Sequence, residues 1–128
     1  MPVVVGVALG GAIGATTRWL LDRFIERHSE SVFPWSTFTI NVSGCFVLGW
    51  FATLLGQRLQ LPAETAYDLR LLVAYGFCGG YTTFSTFAQE AFSLIESDDA
   101  GVALLYATTS VVLGILAVYA GTLLGRAL

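Results

Sequence analysis

Charge is what this chain has least of. Only 12% of its 128 residues are charged, about half the roughly 25% of a soluble globular domain. That shortage excludes an ordinary water-exposed surface and places the chain in the membrane class. No basic run occurs and the formal net charge is -3, so the electrostatic footprint of a nucleic-acid binder is missing and no nucleic acid is expected as a partner. Cysteine is scarce too. Cys45 and Cys78 each lie in apolar surroundings, where the residue behaves as a small hydrophobe, and they do not amount to a disulfide framework. His28 has no second ligand near it in the sequence and reads as a loop residue.

Long uncharged runs take the place of these groups. None of Ser31–Gln57, Leu71–Gln89 or Ala100–Gly125 contains a charge, and Arg18 is the single charge between Pro2 and Leu21. About 20 apolar residues cross ~30 Å of hydrocarbon at ~1.5 Å per residue, so four spans are expected in one all-α transmembrane domain over residues 1–128. The helices are predicted at about 3–27, 35–58, 63–95 and 101–126. The first is expected to persist in the mature protein, because it lacks a basic leader region and runs through Arg18 into an amphipathic end, Asp22 to Arg27. The links are short. His28–Pro34 is polar, Pro62 suits an early helical position, and the acidic turn Glu96–Asp99 can cap the last helix. No room remains for a soluble domain, so whatever the chain does happens inside or across the membrane.

Arginine counts give no orientation bias. Arg58, Arg70 and Arg126 would share one side and Arg23 and Arg27 the other, joined by Arg18 if it snorkels. A chain without bias can insert both ways up, and two such copies make an antiparallel dimer with its axis in the membrane plane, as in transporters built of inverted repeats. Four helices packed at ~8–10 Å leave no aqueous path along their centre, so a pore needs a partner. Gly6, Gly10 and Gly14, spaced four apart, offer a face on which backbones can approach closely.

The most informative stretch is Gly76-Phe-Cys-Gly-Gly-Tyr-Thr-Thr-Phe-Ser-Thr-Phe-Ala-Gln-Glu90. Each glycine costs about 0.8–1 kcal/mol relative to alanine in a helix interior. Gly79 and Gly80 followed by Tyr81, Thr82 and Thr83 therefore predict a break near residues 79–83. Irregular backbone at membrane depth survives only where protein or an aqueous cavity satisfies its polar groups. Half-helix N-termini then offer amide donors to anions, and unwound carbonyls offer oxygens to a cation such as sodium. If the second half-helix starts near Thr83, that hydroxyl can cap it, and Phe84 and Phe87 fall on one side with Glu90 three residues on. Phenyl edges carry partial positive charge and can meet a small anion; rings at this spacing also serve as ordinary packing.

Other polar residues lie at membrane depth. Asn41 sits one turn beyond Thr37, with Ser43 on another face, and Tyr106 and Ser110 are four apart with Thr109 beside them. Such side chains either bond between helices or line a path. Asn41 favours the path, because an amide has two donors with which to replace an anion's hydration. Arg18, four residues before Asp22, allows an intrahelical ion pair or a charge in a vestibule that concentrates anions. Glu90 allows a hydrogen bond closing the half-helix or a place at a water-filled mouth.

Together Gly10-Gly-Ala-Ile-Gly14-Ala with Arg18, Phe38-Thr-Ile-Asn41-Val-Ser-Gly44 and Gly76 through Phe87 resemble the Fluc (CrcB-type) fluoride channels of bacteria along the whole chain. The resemblance implies a dual-topology homodimer in the bacterial inner membrane with two antiparallel fluoride pores. Phe84 and Phe87 would be the facing phenylalanines and Asn41 the pore asparagine, with Thr37, Ser85 and Thr86 also along the pore. Tyr106 and Ser110 would begin a polar track, Arg18 would be the vestibule arginine, and Glu90 would stand at the pore mouth. Carbonyls of Gly79 and Thr82 would hold a structural sodium on the dimer axis. Gly114 and Val118 depart from the pattern, standing where some members carry further hydroxyls.

The implied function is passive fluoride export, with no reaction catalysed. Selection would rest on a narrow pore, polar replacements for water and phenyl edges. The rivals are a coupled transporter of fluoride or of small drugs, and a membrane scaffold that transports nothing. Small multidrug exporters depend on a carboxylate inside the first helix, where this chain has none before Asp22. A scaffold would leave the patterned break without a purpose.

Overall fold

A computed structural model describes residues 2–128, and among them all regular structure is helical. Each proline stands immediately before a helix, where its fixed φ and missing N–H do no harm. Pro2 precedes α1 (Val3–His28), Pro34 precedes α2 (Trp35–Thr53), and Pro62 precedes α3 (Ala63–Arg70). The helix of α2 continues as a π-helical turn, Leu54–Arg58. Likewise α3 runs into a π-helical stretch, Leu71–Cys78, and then a short α4 (Gly79–Tyr81). After a gap come α5 (Phe84–Glu96) and α6 (Ala100–Ala127).

Among the described residues three helices are long and apolar enough to cross a membrane: Val3–His28, Trp35–Arg58 and Ala100–Ala127. The remaining expected span, residues 63–95, is not one helix but the series α3, π-helix, α4 and α5. The chain is thus an all-helical, multi-pass membrane protein.

Glycine sets the packing. α1 lies along Leu71–Cys78 and α4, while α2 lies along α6. The stripe Gly6, Gly10, Gly14 is buried, and its partner is the front half of the interrupted segment. A Cβ on Gly10 would stand 2.0 Å from the Leu72 carbonyl oxygen, and one on Gly14 2.2 Å from that of Phe77. Only hydrogen fits there, which is how helices associate where lipid supplies no hydrophobic drive. The α2–α6 seam repeats the device: a Cβ on Gly49 would meet the Val118 carbonyl oxygen at 2.3 Å, and one on Gly121 that of Phe46 at 2.2 Å. Gly114 faces the Cys45 sulfur. Gly114 and the Val118 backbone thus belong to the seam with α2.

The interruption is narrower than expected. Gly79 and Gly80 remain helical, and the chain is extended only at Thr82 (φ -84°, ψ 161°) and Thr83 (φ -150°, ψ 118°). Gly80 is also a contact: a Cβ there would stand 2.6 Å from the Gly11 carbonyl oxygen. The acidic turn before α6 also behaves differently. Asp99 occupies the N-cap position, but its side chain makes no capping bond. The reversal is made instead by the Asp99 N–H donating to the Leu94 carbonyl at 2.8 Å and by Asp98 at φ 61°.

Candidate functional site

Two extended residues inside an apolar bundle expose backbone groups that need partners. Asn41 supplies them. Its Oδ1 accepts the Thr83 N–H at 2.8 Å and its Nδ2 donates to the Thr83 carbonyl at 3.0 Å, so α2 clamps the break from both sides of one residue. Thr83 then caps α5 as expected, its Oγ1 accepting the Thr86 N–H at 3.3 Å and donating to Thr86 Oγ1 at 3.1 Å. On the other side, Thr82 folds back on Cys78, whose carbonyl accepts both the Thr82 N–H (3.0 Å) and its hydroxyl (2.8 Å).

This wiring modifies the role foreseen for Asn41. One of its two amide N–H groups holds the Thr83 carbonyl, leaving one for another acceptor. Arg18 also differs from the simplest expectation. Its Nη1 donates to the Thr82 carbonyl at 3.4 Å, while Asp22 accepts the Ser36 hydroxyl. The guanidinium and Asp22 line one cavity of about 170 Å³ with Thr37, Thr83 and Thr86, so Arg18 stands in a polar recess against the break.

Phe84 opens α5 and is 79% exposed. Phe87 is half-buried on the next turn, its ring centroid 5.7 Å from that of Phe84 and 5.0 Å from that of Tyr106. The rings lie on one side, as the spacing suggests, but in unlike surroundings: Phe84 projects from the chain and Phe87 packs on α6. Ser85 and Thr86 are exposed.

A second polar knot lies one turn further along. Glu90 accepts the Thr37 hydroxyl on Oε1 at 2.8 Å and the Tyr106 hydroxyl on Oε2 at 2.7 Å. Both donors are buried, Tyr106 completely. Glu90 thus joins α2, α5 and α6 while still lining two openings at this end of the bundle. Hydroxyl donors on both oxygens are what allow a carboxylate to stand among apolar helices. Tyr106 is fully buried within the chain, and its hydroxyl is committed to Glu90. Ser110, one turn on, has a buried hydroxyl oxygen without a partner.

A groove of about 350 Å³ borders the break, lined in part by Asn41, Gly79, Thr82, Thr83 and Phe84. The Thr83 N–H goes to Asn41, which leaves the Gly79 carbonyl without its i+4 donor. Gly79 is exposed, with open space where a Cβ would stand. Among the described residues no three His, Cys, Asp or Glu gather as a metal site.

Sequence reasoning missed three features. The Ser36–Asp22 bond and the Glu90 knot join residues far apart in the chain. A further miss is the aromatic cluster of Phe33, Trp35 and Phe38, in which Phe33 meets Trp35 at 4.6 Å, Phe38 at 5.4 Å and Tyr106 at 5.4 Å between centroids. Its only sequence signal is the density of aromatic residues between Phe33 and Phe38.

Fold and site together define a multi-pass helical membrane protein whose polar groups converge on an interrupted span. The chain belongs to the family described as CrcB-like protein, Camphor Resistance (CrcB), which matches residues 5–122. It is 44% identical over 122 residues to the Fluoride-specific ion channel FluC of Rhizobium johnstonii, covering 95% of this chain and 94% of the relative. The protein of the same name from Acidobacterium capsulatum is 42% identical over 120 residues, covering 94% and 93%. That from Bacteroides fragilis is 38% identical over 129 residues, covering 98% of each. These relatives are ion channels by name, and ion channels are not enzymes.

Proposed function

We propose that the protein is a passive, fluoride-selective channel that lets fluoride leave the cytoplasm across the bacterial inner membrane. The observation that carries this reading is the break at Thr82–Thr83, clamped by Asn41 and opening directly onto Phe84, in a chain whose relatives are named fluoride channels. The working unit is an antiparallel homodimer in which each copy crosses the membrane four times and two pores run in opposite senses. The exposure of Phe84 beside the polar break supports a partner that covers it.

In each pore, fluoride loses water to donors held at fixed positions. The free Asn41 N–H and the hydroxyls of Ser85 and Thr86 supply hydrogen bonds, and the edges of Phe84 and Phe87 supply weak positive potential. Weak sites in series let the ion enter and also leave. Arg18 raises the anion concentration beside the break. Thr37, Tyr106 and Glu90 form the far end of the path, with Ser110 beyond them on α6. Part of this reading is a structural sodium that the carbonyls of Gly79 and Thr82 would hold: the Gly79 oxygen lacks its i+4 donor, and the Thr82 oxygen already faces the Arg18 guanidinium at 3.4 Å.

Phe84→Ile and Phe87→Ile test the pore assignment. Each keeps apolar bulk but removes the ring edge. Fluoride efflux from liposomes is expected to fall while the protein still elutes from a sizing column as the wild type does; undiminished efflux in both variants would assign the rings to packing.

A further inference from the structure

We infer that Phe33, in the link between α1 and α2, is a positioning residue for the Glu90 knot and so controls passage at that end of the path. This rests on the channel reading above and on Glu90 lying along the route. Phe33 is half-buried against the Tyr106 core cluster. Its ring stands edge-on to Tyr106, with centroids 5.4 Å apart and planes at 77°, and edge-on to Phe38 at 5.4 Å and 73°. Phe87 meets Tyr106 at 5.0 Å. The Tyr106 ring is therefore gripped between the link and α5, and that grip aims its hydroxyl at Glu90 Oε2, 2.7 Å away.

The link is itself held in shape. The Phe33 N–H donates to the Ser31 hydroxyl at 3.2 Å, and the Phe33 carbonyl accepts the Trp35 N–H at 2.8 Å. Phe33 also lines a cavity of about 180 Å³ that Glu90 reaches, together with Glu26, Ser31 and Ser36. One side chain thus forms part of the wall of the opening and braces the tyrosine behind the carboxylate. If Phe33 is lost, the Tyr106 hydroxyl gains freedom, Glu90 loses one of its two donors, and an anion at this end meets a carboxylate whose charge is less well screened.

A double-mutant cycle separates positioning from plain packing. Phe33→Ala, Tyr106→Phe and the double variant are reconstituted and fluoride efflux is measured, with Phe33→Leu as the volume-conserving control. Tyr106→Phe keeps the ring and deletes the hydroxyl. Each single variant is expected to slow efflux on the order of tenfold, the equivalent of one hydrogen bond to a charged group. The double variant is expected to be no slower than Tyr106→Phe, and Phe33→Leu to recover most of the rate. Thermal stability, a packing readout, is expected to fall with Phe33→Ala in either background. Losses in efflux that multiply in the double variant, or full activity in Phe33→Ala, would overturn the positioning role while leaving the channel reading intact. Absence of fluoride efflux in the wild type would overturn both.

Discussion

Asn41→Ala is the perturbation whose cost can be worked most directly from the structure. The side chain makes two bonds to one residue, accepting from the Thr83 N–H at 2.8 Å and donating to the Thr83 carbonyl at 3.0 Å. Alanine leaves both backbone groups without partners in an apolar bundle. A buried orphan costs about 1–3 kcal/mol, so the pair predicts a loss of about 2–6 kcal/mol in the stability of the break. The assay is amide hydrogen exchange at Thr83. Each 1.4 kcal/mol is roughly a factor of ten in the opening equilibrium, so exchange there is expected to quicken at least tenfold, with far smaller changes in α1. Asn41→Asp sharpens the test. A carboxylate still accepts the Thr83 N–H but sets an oxygen against the Thr83 carbonyl, so the amide stays protected while the protein is destabilised. Equal Thr83 protection in the wild type and Asn41→Ala would refute the clamp.

Two other perturbations follow from the geometry. Gly10→Ala drives a Cβ to 2.0 Å from a backbone oxygen, whereas Gly79→Ala meets nothing within 4 Å in its own chain. The first is expected to cost at least ~3 kcal/mol, the upper range for overpacking, and the second to leave the melting temperature of the detergent-solubilised chain nearly unchanged; the reverse order would contradict the α1 seam. For topology, arginines added to the link before α2, or to that between Arg58 and α3, are expected to fix one orientation. Efflux should be lost with either variant alone and return when both are made together. Activity from a single fixed orientation would rule out the antiparallel pair.

Much of the architecture was legible because lipid imposes simple rules. Uncharged runs marked the three long apolar helices to within a residue or two, though not the pieces into which residues 63–95 divide, and Thr83 was recognisable as the cap of α5 because a hydroxyl before an apolar run has a strong local preference. The exact site of the break was less legible. Glycine's low helix propensity points to Gly79–Gly80, but both stay helical, and at Gly80 the missing side chain serves close approach to Gly11. Nothing in the periodicity marks the π-helical Leu71–Cys78, since an extra residue per turn leaves no signature in an evenly apolar run.

In the site, polarity at membrane depth singled out Asn41, Thr37, Glu90 and Tyr106 individually. Their pairing lay out of reach. Thr37 and Glu90 are 53 residues apart and Asn41 and Thr83 are 42 apart, so only the packing of α2 against the broken span reveals which donor meets which acceptor. Arg18 and Asp22 make the same point in reverse. Their spacing allows a pair within one helix, but each finds a partner on another element, Thr82 for one and Ser36 for the other.

The measurement that bears most directly on the account is ion efflux from liposomes holding the purified wild-type protein, with fluoride and chloride loaded in parallel and no proton gradient. Rapid fluoride loss with chloride retained is the expected result. Equal loss of both ions, or fluoride movement only when a proton gradient is imposed, would contradict a selective passive pore at the Asn41-clamped break.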